Sequence, residues 1–237
     1  KIGSKINLDQ LQLDYDAIFI GMGLSGVNSL RCIGEELENV DDAVNFISEL
    51  RQADSLLNVK VGRDVVVIGG GMTAVDAAVQ SKLLGSQNVS LVYRRGKEDM
   101  SASIYEQDLA TSKGVRIIYN ATPLEVVKNN STLDVKFGYT ETIDNKLKQT
   151  GETFNLAANQ VLKAIGQNLS EEINSLKISN GKIYVDQNGQ TNISNIWAGG
   201  DCVTTGDDLT VTAVAQGRDA AIDINSQLMK QIKKEGQ

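Results

Sequence analysis

Residues 65–79 read VVVIGGGMTAVDAAV, and this stretch narrows the possible folds more than any other part of the chain. Val65 to Ile68 form an unbroken apolar run rich in β-branched residues, the pattern of a parallel strand buried on both faces. Three glycines follow, and then TAVDAAVQSKLL, whose small and apolar residues recur at helical spacing. A buried strand that enters a helix through a tight turn is one half of a βαβ unit. The chain is therefore expected to be an α/β protein built on a parallel sheet.

Gly69, Gly71 and Ala74 fit the spacing G-x-G-x-x-[GA], and each small residue has a task. Gly69 permits the turn, Gly71 lets a pyrophosphate approach the backbone, and Ala74 lets the helix lie close to the strand. The helix N-terminus offers free amides and a positive dipole end to the phosphates, which makes Gly69, Gly70, Gly71, Met72, Thr73 and Ala74 candidate nucleotide-binding residues. The next strand, NVSLVYRRG (88–96), ends in Arg94 and Arg95, where an NAD-binding site carries an acidic residue for the ribose 2′-hydroxyl. Guanidinium groups there suit a 2′-phosphate, which points toward NADP, with NAD left open.

The remaining segments extend the pattern. A polar helix is expected at about 102–113 and a strand at 114–120. In TLDVKFGYTET, Leu133, Val135, Phe137 and Tyr139 alternate with polar residues, so a β-meander is expected over about 122–156. ANQVLKAIGQN (158–168) returns as a buried strand. Upstream, YDAIFIGMG (15–23) reads as a buried strand ending in glycines, and ISNIWAGGDC (193–202) does the same and closes on an acid. A helix follows in DLTVTAVAQGRDAAIDINSQL. These flanking pieces read as two parts of one domain that is interrupted by the 57–168 nucleotide unit, giving segments 1–56 and 169–237 on either side.

Composition excludes several chemistries. There is no histidine, which removes His-based triads, His metal ligands and the usual proton shuttle near neutral pH. Thirty acidic residues against twenty-three basic give a net charge of −7 and no basic stripe, so nucleic acid is not an expected partner. No apolar run reaches membrane-spanning length, and the two cysteines, Cys32 and Cys202, read as separate reduced thiols of a cytoplasmic protein. No metal site is expected.

The order YDAIFIGMG, VGRDVVVIGGGMTAVDAA, YRRGKEDM, AIG and WAGGDC followed by TVTAVAQGRDAA resembles the pyridine nucleotide-disulfide oxidoreductase-like flavoproteins with two dinucleotide-binding domains. Within that family it is similar to the small subunit of glutamate synthase and to the NAD(P)H-oxidising subunit of bacterial dihydropyrimidine dehydrogenase. The resemblance implies a Rossmann-like, three-layer NAD(P)-binding domain with a β-meander, inserted into a partial FAD-binding domain. It implies electron entry from NAD(P)H through FAD to a partner subunit that carries iron–sulfur or flavin groups.

It further implies that Gly200 and Asp201 contact FAD, with the carboxylate accepting from a ribityl hydroxyl. Thr210 and Val211, at a helix N-terminus, would face the flavin N1–C2=O edge, and Gly21, Met22 and Gly23 would approach from the other strand. Ala164, Ile165 and Gly166 complete the expected cofactor contacts. Hydride transfer between nicotinamide and flavin needs positioning rather than an acid or base, so no catalytic side chain is assigned; Asp76 is a candidate for shaping the nicotinamide side, and equally for a plain polar helix face.

Three departures qualify the resemblance. No second G-x-G-x-x-G strand–helix unit is present to hold the FAD pyrophosphate, and two cysteines cannot build an iron–sulfur cluster. Ser103, Ile104 and Tyr105 stand where glutamate synthase relatives carry further arginines. Together with a first residue, Lys1, that is not Met, these features suggest a piece of a longer flavoprotein. The alternative is a nucleotide-binding module without flavin or catalytic activity. A disulfide reductase would need a CxxC, which is absent.

Overall fold

A computed structural model describes residues 7–169 and 175–235. Two compact units result: one formed by residues 27–166, the other by the flanking segments 1–26 and 167–237. The flanking segments reach into stretches outside the described residues.

The 27–166 unit is built on five parallel strands in the order Val40–Asp42, Gln160–Ala164, Asp64–Gly69, Asn88–Val92 and Val115–Ile118. The apolar run at 65–68 is continuous because both faces of its strand are covered. Val65 and Val67 pack with the helices on one side, while Val66 and Ile68 pack with the meander on the other. Each such fully buried side chain contributes about 1.5–3 kcal/mol. The helices Ala43–Gln52, Met72–Leu83 and Ile104–Ser112 form one outer layer. Ala74, Ala77 and Ala78 are completely buried, so the central helix lies close to the sheet.

The opposite layer is an antiparallel meander of Ala121–Asn129, Thr132–Ile143 and Lys146–Ala158. Phe137 stacks on Phe154 with ring centroids 5.3 Å apart. The expected alternation holds for Leu133, Val135 and Phe137, which are buried, and fails at Tyr139, which is exposed. A bulge between Gly138 and Thr140 shifts the register and turns Thr140 inward in its place.

This unit starts thirty residues earlier than the 57 expected from sequence. Val40–Asp42 supplies the edge strand beside Gln160–Ala164, and Ala43 and Phe46 of the following helix enter the core under the sheet. Segment 27–56 therefore packs with the nucleotide unit.

In the other unit, Ile18–Ile20 pairs in parallel with Ile196–Ala198, and the helix Thr210–Glu235 packs against the latter. Trp197 is buried, and its indole N–H donates to Asp223 of that helix at 3.0 Å. The strand expected to be buried throughout 15–23 is only partly so. The strand itself spans Ile18–Ile20, and Phe19 is exposed because among the described residues this sheet has two strands. No helix of the described residues is long and apolar enough to cross a membrane.

Candidate nucleotide and flavin sites

The glycine turn occupies the carboxyl end of its strand. Gly69 has φ +153°, and a side chain there would run into the Ala164 carbonyl, 2.1 Å from an added Cβ. Gly70 lies against the Tyr93 ring, which an added Cβ would meet at 2.3 Å. Gly71 differs from both: an added Cβ would meet only the Ser101 hydroxyl, at 3.3 Å. It is the N-cap of the Met72–Leu83 helix and carries no capping side chain. The first helical bond runs from the Ala74 N–H to the Gly71 carbonyl at 3.0 Å. The amides of Gly71, Met72 and Thr73 are thus left to an outside acceptor, the condition under which a helix N-terminus holds a phosphate.

Arg94 and Arg95 lie just past the next strand, Asn88–Val92, after Tyr93. Both are exposed, and neither guanidinium has an ion pair among the described residues. Their loop folds back onto the glycine turn: the Ala102 N–H donates to the Gly70 carbonyl at 3.0 Å, and the Tyr93 hydroxyl donates to the Asp99 carbonyl at 2.7 Å. The glycine turn and the arginine turn are therefore bonded into one cradle. Ser103 caps the Ile104–Ser112 helix in a capping box with Glu106, which leaves Ile104 and Tyr105 exposed. That helix end is satisfied internally, unlike the one at Gly71.

Ala164 pairs with Gly69 at the end of its strand, and Gly166 turns the chain with φ +96°. Asn28 holds this turn, with its N–H on the Gly166 carbonyl at 3.1 Å and its side-chain amide on the Ile165 carbonyl at 3.3 Å. Asp76 is engaged elsewhere. Its carboxylate meets Arg51 at 3.5 Å and accepts from Gln80, facing a groove of about 580 Å³ in the helix layer that Val44, Ile47 and Leu109 also line. With the Arg51 side chain largely exposed, the pair adds little stability.

In the flanking unit, the turns of Gly21–Gly23 and Gly200–Asp201 follow the two paired strands. Gly200 has φ +78°, and its N–H donates to the Gln216 side chain at 2.7 Å. Asp201 is half-buried, and its carboxylate has no partner among the described residues. Met22 is partly buried and packs against the core of this unit. Thr210 and Val211 form the exposed first turn of the long helix.

Between the two turns sits Cys202, fully buried, its Sγ 3.3 Å from the Gly199 carbonyl and 3.9 Å from that of Ile20. Burial pushes this thiol up from its ordinary range, against the opposing pull of the Met22 and Gly23 amides. It acts as a neutral spacer that joins the turns. Sequence reasoning did not single out Cys202, Ser101, Asn28 or Gln216 as structural supports; Tyr93, beside the arginines, had only its position as a signal.

The chain has relatives among known proteins. The family model described as pyridine nucleotide-disulphide oxidoreductase matches residues 3–217. The NAD-dependent dihydropyrimidine dehydrogenase subunit PreT of Salmonella typhimurium is 31% identical over 96% of this chain and 51% of its own length. The NADP(+)-dependent formate dehydrogenase subunit beta of Moorella thermoacetica is 31% identical over 96% of this chain and 34% of its own. The glutamate synthase [NADPH] small chain of Escherichia coli (strain K12) is 33% identical over 93% and 52%. The chain thus spans about half the length, or less, of these relatives.

Among solved structures, thioredoxin reductase of Lactococcus lactis superposes with a TM-score of 0.72 at 25% identity, covering 90% of this chain and 66% of that one. FprA of Mycobacterium tuberculosis in complex with NADPH gives 0.75 at 19% identity, covering 100% and 68%, which speaks to the fold alone.

Proposed function

This chain belongs to the pyridine nucleotide-disulphide oxidoreductase family, and from that premise we propose that it is the nucleotide-binding portion of an electron-entry subunit. In this reading it takes NADPH, with NADH as the weaker alternative, and passes electrons by way of FAD to a partner subunit. The observation that carries the reading is the uncapped helix end at Gly71, bonded into one cradle with the unpaired Arg94 and Arg95. The amides at 71–73 would take the pyrophosphate and the guanidinium groups the 2′-phosphate, through forked, charge-assisted bonds. Ala164 to Gly166 would border the same site at the end of the adjoining strand.

For FAD, the flanking unit supplies a partial fit. The unpartnered Asp201 carboxylate suits a ribityl hydroxyl, and the exposed first turn at Thr210 and Val211 suits the electron-rich edge of the flavin. When bound, FAD supplies the acceptor for the two electrons that NAD(P)H carries as hydride. The chain's own residues bind and orient; none is required to move a proton. Relatives named as subunits, or as a small chain, support transfer to a partner, for which an iron–sulfur or flavin protein is the fitting chemistry.

The nucleotide preference has a direct test. The double substitution Arg94→Ala and Arg95→Ala is expected to weaken NADPH by about 1.5–3 kcal/mol for each forked arginine–phosphate bond removed, and NADH far less. Calorimetric titration of both nucleotides on the same preparation reads the difference. Equal losses would remove the arginines from the recognition of the 2′-phosphate.

A further inference from the structure

The arginine turn is held from behind through its backbone, one carbonyl at a time. The Tyr93 carbonyl accepts from the Ala121 N–H at 3.0 Å, and the Arg95 carbonyl accepts from the Asn120 N–H at 3.0 Å. Between them, the Arg94 carbonyl accepts from a side chain, the Thr140 hydroxyl, at 2.8 Å. Thr140 is buried at 5% exposure, and its own N–H donates to the Asn120 carbonyl at 2.8 Å. The inward position of Thr140 is a product of the bulge between Gly138 and Thr140; without that shift Tyr139 would point inward in its place. With all three carbonyls bonded on the inner side, the two guanidinium groups are left exposed and unpaired among the described residues.

We propose that Thr140 is a positioning residue for the 2′-phosphate: from the β-meander it fixes the backbone from which Arg94 and Arg95 project. A flexible arginine pair must be ordered when the anion arrives, and that ordering subtracts from affinity; a turn tied at every carbonyl has been ordered in advance. The meander thereby takes part in nucleotide choice without touching the nucleotide. This inference rests on the reading of Arg94 and Arg95 as the 2′-phosphate site.

The test uses the full chain with adenosine 2′,5′-bisphosphate and AMP as probes, which differ by that phosphate alone. Thr140→Val keeps the shape and removes the hydroxyl, and Thr140→Ala replaces it should the valine variant not fold. Loss of one backbone anchor is expected to weaken the bisphosphate about three- to tenfold, leave AMP unchanged, and be reversed in Thr140→Ser. A merely structural threonine would lower the melting temperature and weaken both probes equally, and that result would overturn the proposal. So would a serine variant as weak as the valine one. The double arginine substitution separates the layers: if it weakens both probes equally, the 2′-phosphate reading falls and this inference with it. If it weakens the bisphosphate selectively while Thr140→Val does not, only the role of Thr140 falls.

Discussion

Replacing Gly71 with valine is expected to lower NAD(P)H affinity by more than about tenfold while the protein stays folded. The backbone at Gly71, φ −97° and ψ 178°, is extended conformation that valine adopts without strain. An added Cβ meets only the Ser101 hydroxyl, at 3.3 Å, so the fold has room for it. The branched side chain would then stand over the helix end whose amides at 71–73 are proposed to take the pyrophosphate. Losing even two charge-assisted bonds of about 1.5–3 kcal/mol each exceeds a tenfold change. Neighbouring glycines give the contrast. A side chain at Gly69 or Gly70 collides with the Ala164 carbonyl or the Tyr93 ring, so Gly69→Val and Gly70→Val are expected to unfold the unit. Circular dichroism melts sort the three variants, and calorimetry then measures binding by the Gly71 variant. Unchanged affinity in a folded Gly71→Val protein would reduce the glycine turn to a structural feature.

What could be read from the sequence followed from how local its cause was. The strand at 65–68 and the helix behind it were legible because the apolar run, the glycines and the alanines each answer to neighbours a few residues away. The meander was legible up to Phe137, where a bulge with no compositional mark reversed the alternation and exchanged Tyr139 for Thr140. Val40–Asp42 escaped notice because three residues, two of them acidic, make no strand pattern. Their partner in the sheet, Val161–Lys163, lies some 120 positions further along the chain. The same division runs through the site. Arg94 and Arg95 are visible from their spacing after the glycine turn, whereas Thr140, Asn28, Ser101 and Cys202 (through the Ile20 carbonyl) act through hydrogen bonds or contacts between distant segments, for which a single sequence holds no signal.

The chain as it stands is expected to bind NAD(P)H yet to hold FAD weakly or not at all. The proposed nucleotide site is contiguous: strand, glycine turn, helix and arginine turn all lie between Asp64 and Gly96, and the loop that follows closes the cradle. The flavin side is not. Asp201, Gly200 and the first turn at Thr210 can meet the ribityl chain and the ring, but FAD also carries a pyrophosphate whose charges need several amide donors in a fixed array. The sequence holds one strand–glycine turn–helix unit of that kind, and it belongs to the other site. Meanwhile Ile18–Ile20 has a strand on one side only among the described residues, and Phe19 beside it is exposed, as in a sheet with room for a further strand. A chain extended ahead of Lys1 by a strand–glycine turn–helix segment is therefore expected to be yellow and to reduce an artificial acceptor with NAD(P)H. Absorbance and equilibrium dialysis on the two chains measure the difference. Stoichiometric, tightly held FAD in the 237-residue chain would sink this reading, because the pyrophosphate would then have to sit on the Thr210 helix end or on the amides of Gly21–Gly23. An extended chain that still fails to bind FAD would favour the plain nucleotide-binding module instead.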